Sequence, residues 1–246
     1  MSDAANKVAL ITGANKGIGL ETARQLGALG IAVFVGSRDL KRGEASAAEL
    51  KKQGIDARAL KLDVVLDGDR KAAAKFIEKE FGRLDILVNN AGIATEDMNS
   101  NSTLTTSEET LRKIFETNFF AVVALTNALL PLLRKSAAGR IVNLSSILGS
   151  LKLHATAGSP IYGAKMFAYD ASKTALNAYT IHLAHALKET RIKVNSAHPG
   201  WVKTELGGEG APMEIVDGAK TSVRLATLAD DGPTGGYFHM GDTLPW

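Results

Sequence analysis

The chain has 246 residues, 45% of them hydrophobic, with 24 glycines, no cysteine and a formal net charge of +3, a length that suits one α/β domain spanning residues 1–246 with a full core. The lack of cysteine excludes disulfides, thiolate metal sites and cysteine nucleophiles, and cations scattered among the acids give nucleic-acid binding no footing. No apolar run reaches the roughly 20 residues of a membrane span, and the polar start, Met1 to Lys7, lacks the apolar centre of a signal peptide, so a cytoplasmic chain without a membrane partner is expected.

Val8 to Ile11 is a short apolar run that reads as a buried strand, and Leu20 to Leu29 carries a helical pattern. Between them lies Thr-Gly-Ala-Asn-Lys-Gly-Ile-Gly, residues 12–19. Glycines 13, 17 and 19 remove Cβ where the chain turns sharply and where backbone must approach a ligand, leaving N–H groups at a helix N-terminus aimed at phosphate. The spacing is G-x-x-x-G-x-G rather than the commoner dinucleotide pattern, and a tight strand-to-helix turn is the alternative reading. A second strand, Ile31 to Val35, ends at Gly36-Ser37-Arg38-Asp39. In such a fold the loop here meets the adenine ribose, where an acid would bind a free 2′-hydroxyl and an arginine would accept a 2′-phosphate. Ser37 stands where an acid is expected, Arg38 follows, and Lys16 adds a second cation; solvated surface cations are the alternative.

Leu40 to Gln53, closed by Gly54, reads as a helix. A third strand follows over Ala57 to Val64, with Asp63 either accepting from an adenine amino group or serving as a turn residue. Gly68 to Phe81 reads as a surface helix, and Leu84 to Val88 as a fourth strand running into Asn89-Asn90-Ala91-Gly92. Those two amides and two small residues suit backbone close to a ligand and side chains that tie strands together, an Asn-rich turn being the alternative. Residues 93–108 are polar and loop-like, and Thr106-Ser-Glu-Glu109 offers a capping box for a helix to about Arg134. Its middle, Phe119 to Leu125, is apolar all round, which calls for a second covering surface. Arg140 to Leu144 is a fifth strand ending in Ser145-Ser146. Ile147 to Pro160 has no period and reads as a loop over the strand ends. Tyr169 to Leu187 is helical, with Tyr169 and Lys173 at i and i+4 on one face. A sixth strand, Ile192 to Ala197, is broken by Pro199-Gly200. Trp201 to Gly210 reads as a mobile glycine-rich stretch, and a helix over Glu214 to Leu228 and a strand over Gly236 to His239 complete the chain. The expected fold is a single-domain, doubly wound parallel sheet of about seven strands with helices on both faces, the Rossmann arrangement.

Taken together, Thr12-Gly-x-x-x-Gly-Ile-Gly19, Asn89-Asn-Ala-Gly92, Asn118, Ser146, Tyr169-x-x-x-Lys173 and Pro199-Gly200 resemble the short-chain dehydrogenase/reductase family, in order along nearly the whole chain. Asn15 to Gly19, Ser37-Arg38-Asp39, Thr117-Asn-Phe-Phe120 and Pro199-Gly-Trp-Val-Lys-Thr204 look most like its NADPH-using carbonyl reductases. The resemblance implies an oxidoreductase that passes hydride between NADPH/NADP+ and a small-molecule carbonyl or alcohol. Glycines 13, 17 and 19 would hold the diphosphate, Arg38 with Lys16 the 2′-phosphate, Asp63 the adenine and Asn90 the ribose side of the nicotinamide. Further cofactor contacts are implied at Asn15, Ile18, Val64, Ala91, Gly92, Pro199, Gly200, Val202 and Thr204, and at Tyr169 and Lys173 themselves. Asn118 would anchor a water relay to Lys173. The chain departs from the family in the separation of Ser146 and Tyr169, which is longer than in most members and leaves substrate scope open.

The chemistry asks for the same residues. A tyrosine near its ordinary pKa of about 10 is a weak acid-base at neutral pH, and a lysine ammonium one helical turn away would favour its phenolate. Tyr169 would protonate the developing alkoxide while Ser146 donates to the same oxygen. Ser146 is preferred to Ser145 because the family's motif places its serine there. Tyr162 has Lys165 at i+3 and no lysine at i+4, so it belongs to a loop or helix start. His182 and His185 read as surface or interface residues and His198 as structural, and no metal site is expected. No serine stands in a Gly-x-Ser-x-Gly elbow, which removes the hydrolase alternative. The apolar breadth of the helices carrying Asn118 and Tyr169 predicts a homodimer, within or without a tetramer. A monomer with residues 147–168 folded over those helices is the alternative.

Overall fold

The computed structural model describes residues 7–96 and 102–246. The polar start before Lys7 and the part of the polar stretch at 97–101 therefore lie outside the described residues. One sheet runs through the molecule in the order β3-β2-β1-β4-β5-β6-β7-β8. Its strands are β1 (Val8–Ile11), β2 (Ala32–Ser37), β3 (Ala57–Lys61), β4 (Ile86–Asn89), β5 (Arg140–Leu144), β6 (Lys193–Ala197), β7 (Tyr237–His239) and β8 (Asp242–Thr243). All pair in parallel except β8, which turns back antiparallel on β7 through Phe238↔Thr243. This two-residue strand was not expected; it is too short to carry a period-2 pattern. The order of strands reverses between β1 and β4, and crevices at such reversals, beyond the strands' C-terminal ends, are where ligands bind in open α/β sheets.

Successive residues of a strand face opposite sides, so each strand feeds two cores. Val8, Leu10, Phe34, Leu87, Ile141 and Val194 pack on one face against α3 (Asp67–Phe81), α5 (Ala121–Leu133) and α7 (Phe167–Ala186). Ala9, Ile11, Val33, Val35, Val88 and Val142 pack on the other against α1 (Gly17–Ala28), α2 (Leu40–Lys52) and α8 (Ile215–Ala226).

The expected helix after residue 106 is interrupted. It runs as α4 (Glu108–Phe115), a π-helical turn (Glu116–Phe120) and α5. Its cap is Ser107, whose hydroxyl accepts the N–H of Thr110 at 3.1 Å, and not Thr106. By length and composition Glu108–Leu133 could cross a membrane, contrary to the expectation that no stretch would. Here its leucines 125, 129, 132 and 133 fill the core against the sheet instead. The segment read as a loop over 147–160 also contains structure, a 3-10 turn (Ile147–Gly149) and the short α6 (Leu151–Ala155). Five residues are too few to show a helical period, and the available signal was Ser150, whose hydroxyl caps α6 by accepting the N–H of Leu153. The glycine-rich stretch after Pro199 is tied at both ends, Lys203 donating to Met213 O at 2.9 Å and Met213 donating to Trp201 O at 3.1 Å.

Candidate active site

The first wall of the site is the turn between β1 and α1. Gly13 and Gly17 have φ of +62° and +57°, the left-handed region that favours glycine. At Gly19 the constraint is space: a Cβ there would lie 2.4 Å from Asn90 Nδ2 and 2.8 Å from Gly13 O. Whereas α2 is capped by Asp39 and α3 carries Asp67 and Asp69 in its first turn, α1 has neither a side-chain cap nor an acid in its first turn. Its N-terminal N–H groups and positive dipole end thus remain for an anion. Backbone without Cβ atoms at an uncapped helix start fits the diphosphate of a dinucleotide.

Thr12, to which no role was assigned from sequence, holds this turn to the end of β4. Its hydroxyl oxygen accepts the N–H groups of Asn90 and Ala91, each at 2.9 Å. The Asn90 amide, for which the family resemblance implies a place on the ribose side of the nicotinamide, donates to Thr12 O at 2.7 Å and Gly13 O at 3.3 Å and so braces the glycine turn. Asn89 ties strands as anticipated, donating to Asn143 Oδ1 at 2.9 Å and Thr126 Oγ1 at 3.2 Å, and Asn143 donates in turn to Thr180 Oγ1.

At the adenine end Arg38 is exposed and has no ion pair among the described residues, whereas Lys16 is paired with Glu205 beyond Pro199-Gly200. Ser37 is buried, donating to Asp39 O at 2.7 Å. Asp63 Oδ1 accepts the N–H of Val65 at 3.2 Å, and the neighbouring Val64 side chain is buried. Thr204 stands against the glycine turn, its methyl 3.6 Å from where a Gly17 Cβ would lie. Asn15 O accepts the hydroxyl of Ser46 from α2, Ile18 packs on the core below α1, and Val202 is buried and pairs with Met213. Gly200 has φ +93°.

The second wall is α7 against the end of β5. Tyr169 and Lys173 are 8% and 5% exposed, and Lys173 Nζ lies 5.6 Å from the Tyr169 ring centroid. Ser146, not Ser145, is the serine whose hydroxyl acts on the Tyr169 phenol, favouring its ionised form. Lys173 Nζ donates to Leu144 O at 2.8 Å, and a Cβ on Gly149 would come within 2.9 Å of Lys173 backbone, so the turn after Ser146 lies directly on α7. Tyr237 donates its hydroxyl hydrogen bond to Ser146 O from β7, two strands over from β5, while His198 Nδ1 accepts the N–H of Ile147 at 3.1 Å, a structural role as expected. Asn118 sits in the π-helical turn, where such turns widen the helix at functional positions. Its amide is engaged with Ile93, accepting that N–H at 2.8 Å and donating to that C=O at 2.9 Å, and it also donates to Ser172 Oγ. A Cβ on Gly92 would lie 3.4 Å from Asn118 Oδ1 and 3.5 Å from Lys173 Nζ, so this glycine separates the two. Tyr162 is exposed in a turn beneath Lys165, away from this cluster.

The electrostatics run opposite to the expected lowering of the tyrosine. Burial pushes the Tyr169 hydroxyl up to about 12, the Ser146 hydrogen bond opposing and the Asp170 charge adding to it. Burial also brings Lys173 down to about 8. Removing both groups from water outweighs their mutual attraction.

A model of the short chain dehydrogenase family matches residues 7–214. The chain belongs to the short-chain dehydrogenase/reductase family. As such it is 33% identical to short-chain dehydrogenase/reductase 1 of Saponaria officinalis, over 99% of this chain and 97% of that one. It is also 33% identical to salutaridine reductase of Papaver bracteatum, covering 96% and 95% of the two chains. Among solved structures, NADPH-bound carbonyl reductase from chicken fatty liver superposes with a TM-score of 0.86 at 28% identity, covering 98% and 95%. This short-chain dehydrogenase/reductase is therefore an oxidoreductase-family protein with a nicotinamide-cofactor fold acting on small molecules.

Proposed function

We propose that this protein is an NADPH-dependent reductase of ketones or aldehydes that also runs the reverse alcohol oxidation. The observation that carries the reading is the buried trio of Tyr169, Ser146 and Lys173, with Lys173 Nζ 5.6 Å from the Tyr169 ring centroid, one helical turn away. When bound, the cofactor supplies the hydride. Glycines 13, 17 and 19 would hold its diphosphate at the start of α1, with Arg38 toward a 2′-phosphate. Tyr169 holds the proton delivered to the carbonyl oxygen. Burial keeps that phenol protonated at neutral pH, and Ser146 orients it and donates to the same oxygen. Lys173, held by Leu144 O, keeps a positive charge beside the phenol. A panel of ketones and aldehydes tested with NADPH and NADH is expected to show oxidation of NADPH by some members; cofactor binding with no oxidation across the panel would make the protein a non-catalytic NADP-binding regulator.

An NAD-linked alcohol dehydrogenase is the second reading, because the Lys16 charge is already answered by Glu205, leaving Arg38 as the cation that distinguishes a phosphate from a hydroxyl. Its planar fork pairs with a phosphate dianion and gains nothing from NADH. Arg38→Asp is expected to weaken NADPH binding by about 2 kcal/mol, the range of a lost charge-assisted pair, and to favour NADH relatively. Fluorescence titration with both cofactors checks this, and equal affinities in the unmodified protein would support the second reading.

The assembly proposed is a homodimer. Phe120, Phe167 and Ile181 are 53%, 42% and 41% exposed along the outer side of the helices that carry Asn118 and Tyr169. Two-fold pairing would cover them at once. Light scattering at micromolar concentration is expected to give twice the 26.0 kDa of one chain; a particle of one chain's mass would refute it.

A further inference from the structure

The helix that carries Tyr169 does not cap itself. Its N-cap residue, Met166, has no side chain able to accept from the first turn. The acceptors arrive from a segment about 70 positions earlier in sequence, beyond Gly92, as the separation of Glu96 from Tyr169 shows. Glu96 Oε2 accepts the N–H of Tyr169 itself at 2.8 Å, and Oε1 accepts the N–H of Ala168 at 3.2 Å. The Ser102 hydroxyl oxygen accepts the N–H of Phe167 at 2.8 Å while donating its own proton to Glu96 Oε1. Thr106 donates a fourth hydrogen bond to the same carboxylate at 2.8 Å. Three successive amides of α7, ending at Tyr169, are thus satisfied from one remote cluster.

Two of the four groups that touch Glu96 are backbone N–H donors, which the two oxygens of one carboxylate satisfy at once, whereas the Ser102 and Thr106 hydroxyls also have Lys165 O and Ser102 O within reach. Burial raises the Glu96 carboxyl, but the hydrogen bonds from Ser102, Tyr169, Thr106 and Ala168 together hold it below the ordinary carboxylate range, ionised at neutral pH. An anion on a helix N-terminus also meets the positive end of the helix dipole. The hydroxyls of Ser102 and Thr106 can rotate; the two backbone N–H groups cannot.

We infer that Glu96 is a positioning residue for the reaction: by binding the backbone of Tyr169 it sets the rotation and height of the first turn of α7, and with them where the Tyr169 hydroxyl meets Ser146. This rests on Tyr169 being the proton donor. A displacement of about 1 Å at a reacting group lowers rate far more than binding, so the contribution appears in turnover. Neither the glycine turn nor Arg38 touches Glu96, so the contacts proposed for the diphosphate and the 2′-phosphate stay in place.

Glu96→Gln tests this, since it keeps size and one oxygen while forcing an amide N–H₂ against either the Tyr169 or the Ala168 N–H. The readouts are kcat, carbonyl KM, NADPH Kd by fluorescence, and amide hydrogen exchange at Ala168 and Tyr169. Ser107→Ala, which removes an ordinary cap from α4 without touching α7, is the control for general loosening. The expected result is a kcat lowered about tenfold, KM and Kd within twofold of the unmodified protein, faster exchange at both amides, and kcat within twofold for Ser107→Ala. Unchanged kcat despite faster exchange would overturn the inference, as would unchanged exchange, or kcat, KM and Kd all worsening in proportion. Full turnover by Tyr169→Phe would instead refute the proton-donor reading, and the exchange result would still report whether Glu96 holds the helix.

Discussion

Tyr169→Phe is expected to lower carbonyl reduction by about 10³-fold, within the range for losing a positioned general acid, while leaving NADPH affinity within twofold. The substitution removes one oxygen from a side chain that is otherwise packed, and the ring remains beneath Lys173 Nζ. Ser146 keeps its backbone anchor, since the hydrogen bond from Tyr237 goes to its carbonyl and not to its hydroxyl. The loss should therefore fall on kcat and kcat/KM alike, the pattern of an interaction made at the transition state. A hydroxyl held near 12 by burial is a proton donor throughout the neutral range, so the activity of the unmodified protein below pH 8 should not be limited by ionisation of Tyr169. Stopped-flow measurement of NADPH oxidation at saturating carbonyl checks the chemical step directly. Wild-type-like turnover in the variant would remove Tyr169 from the mechanism.

Much of this arrangement was legible from sequence because it rests on local signals. Each buried strand is a short apolar run, the turn at residues 12–19 announces itself by three glycines, and an i, i+4 spacing places Tyr169 and Lys173 on one helical face whatever surrounds them. Alternation along β1, with Val8 and Leu10 facing one core and Ala9 and Ile11 the other, needs no tertiary information either. What escaped depends on contacts distant in sequence. The π-helical turn at Asn118 has no pattern of its own; it forms where the Asn118 amide closes on the backbone of Ile93. Glu96 is one acid in a polar stretch until the fold brings it to α7. Tyr237 lies 91 positions from Ser146 and reaches it only because β7 is the sheet neighbour of β6. The sign of the tyrosine shift was missed for a related reason: spacing reveals that a lysine is near, but not that both groups are almost wholly out of water, where the cost of charge outweighs the attraction between them.

Lys173 yields the other large effect, and pH separates its parts. Lys173→Ala should lose both the charge beside Tyr169 and a proposed ribose contact, lowering kcat/KM by about 10² to 10³-fold and weakening NADPH roughly tenfold, about the worth of one charge-assisted hydrogen bond. Lys173→Met keeps most of the buried stem and isolates the charge. With the ammonium near 8 and the phenol near 12, the alkaline fall in reduction is expected above about pH 8 and belongs to Lys173; in Lys173→Met that limb should be absent from an already low rate. Stability moves the other way. The folded protein holds Lys173 near 8 against an ordinary value of 10.5, so between pH 8 and 10 the unfolded chain binds more protons than the folded one, and raising the pH favours folding. Integrated over that window the gain is about 2 kcal/mol, which Lys173→Met should lack. Urea midpoints at pH 8 and pH 10 for the two proteins measure it; unfolded tyrosines begin to ionise in this window, and because they do so equally in both proteins the difference between the two isolates Lys173. A reductase whose rate falls as its stability relative to Lys173→Met rises identifies one buried lysine as the source of both. An alkaline limb that persists in Lys173→Met would assign it to another group and leave Lys173 without its electrostatic role.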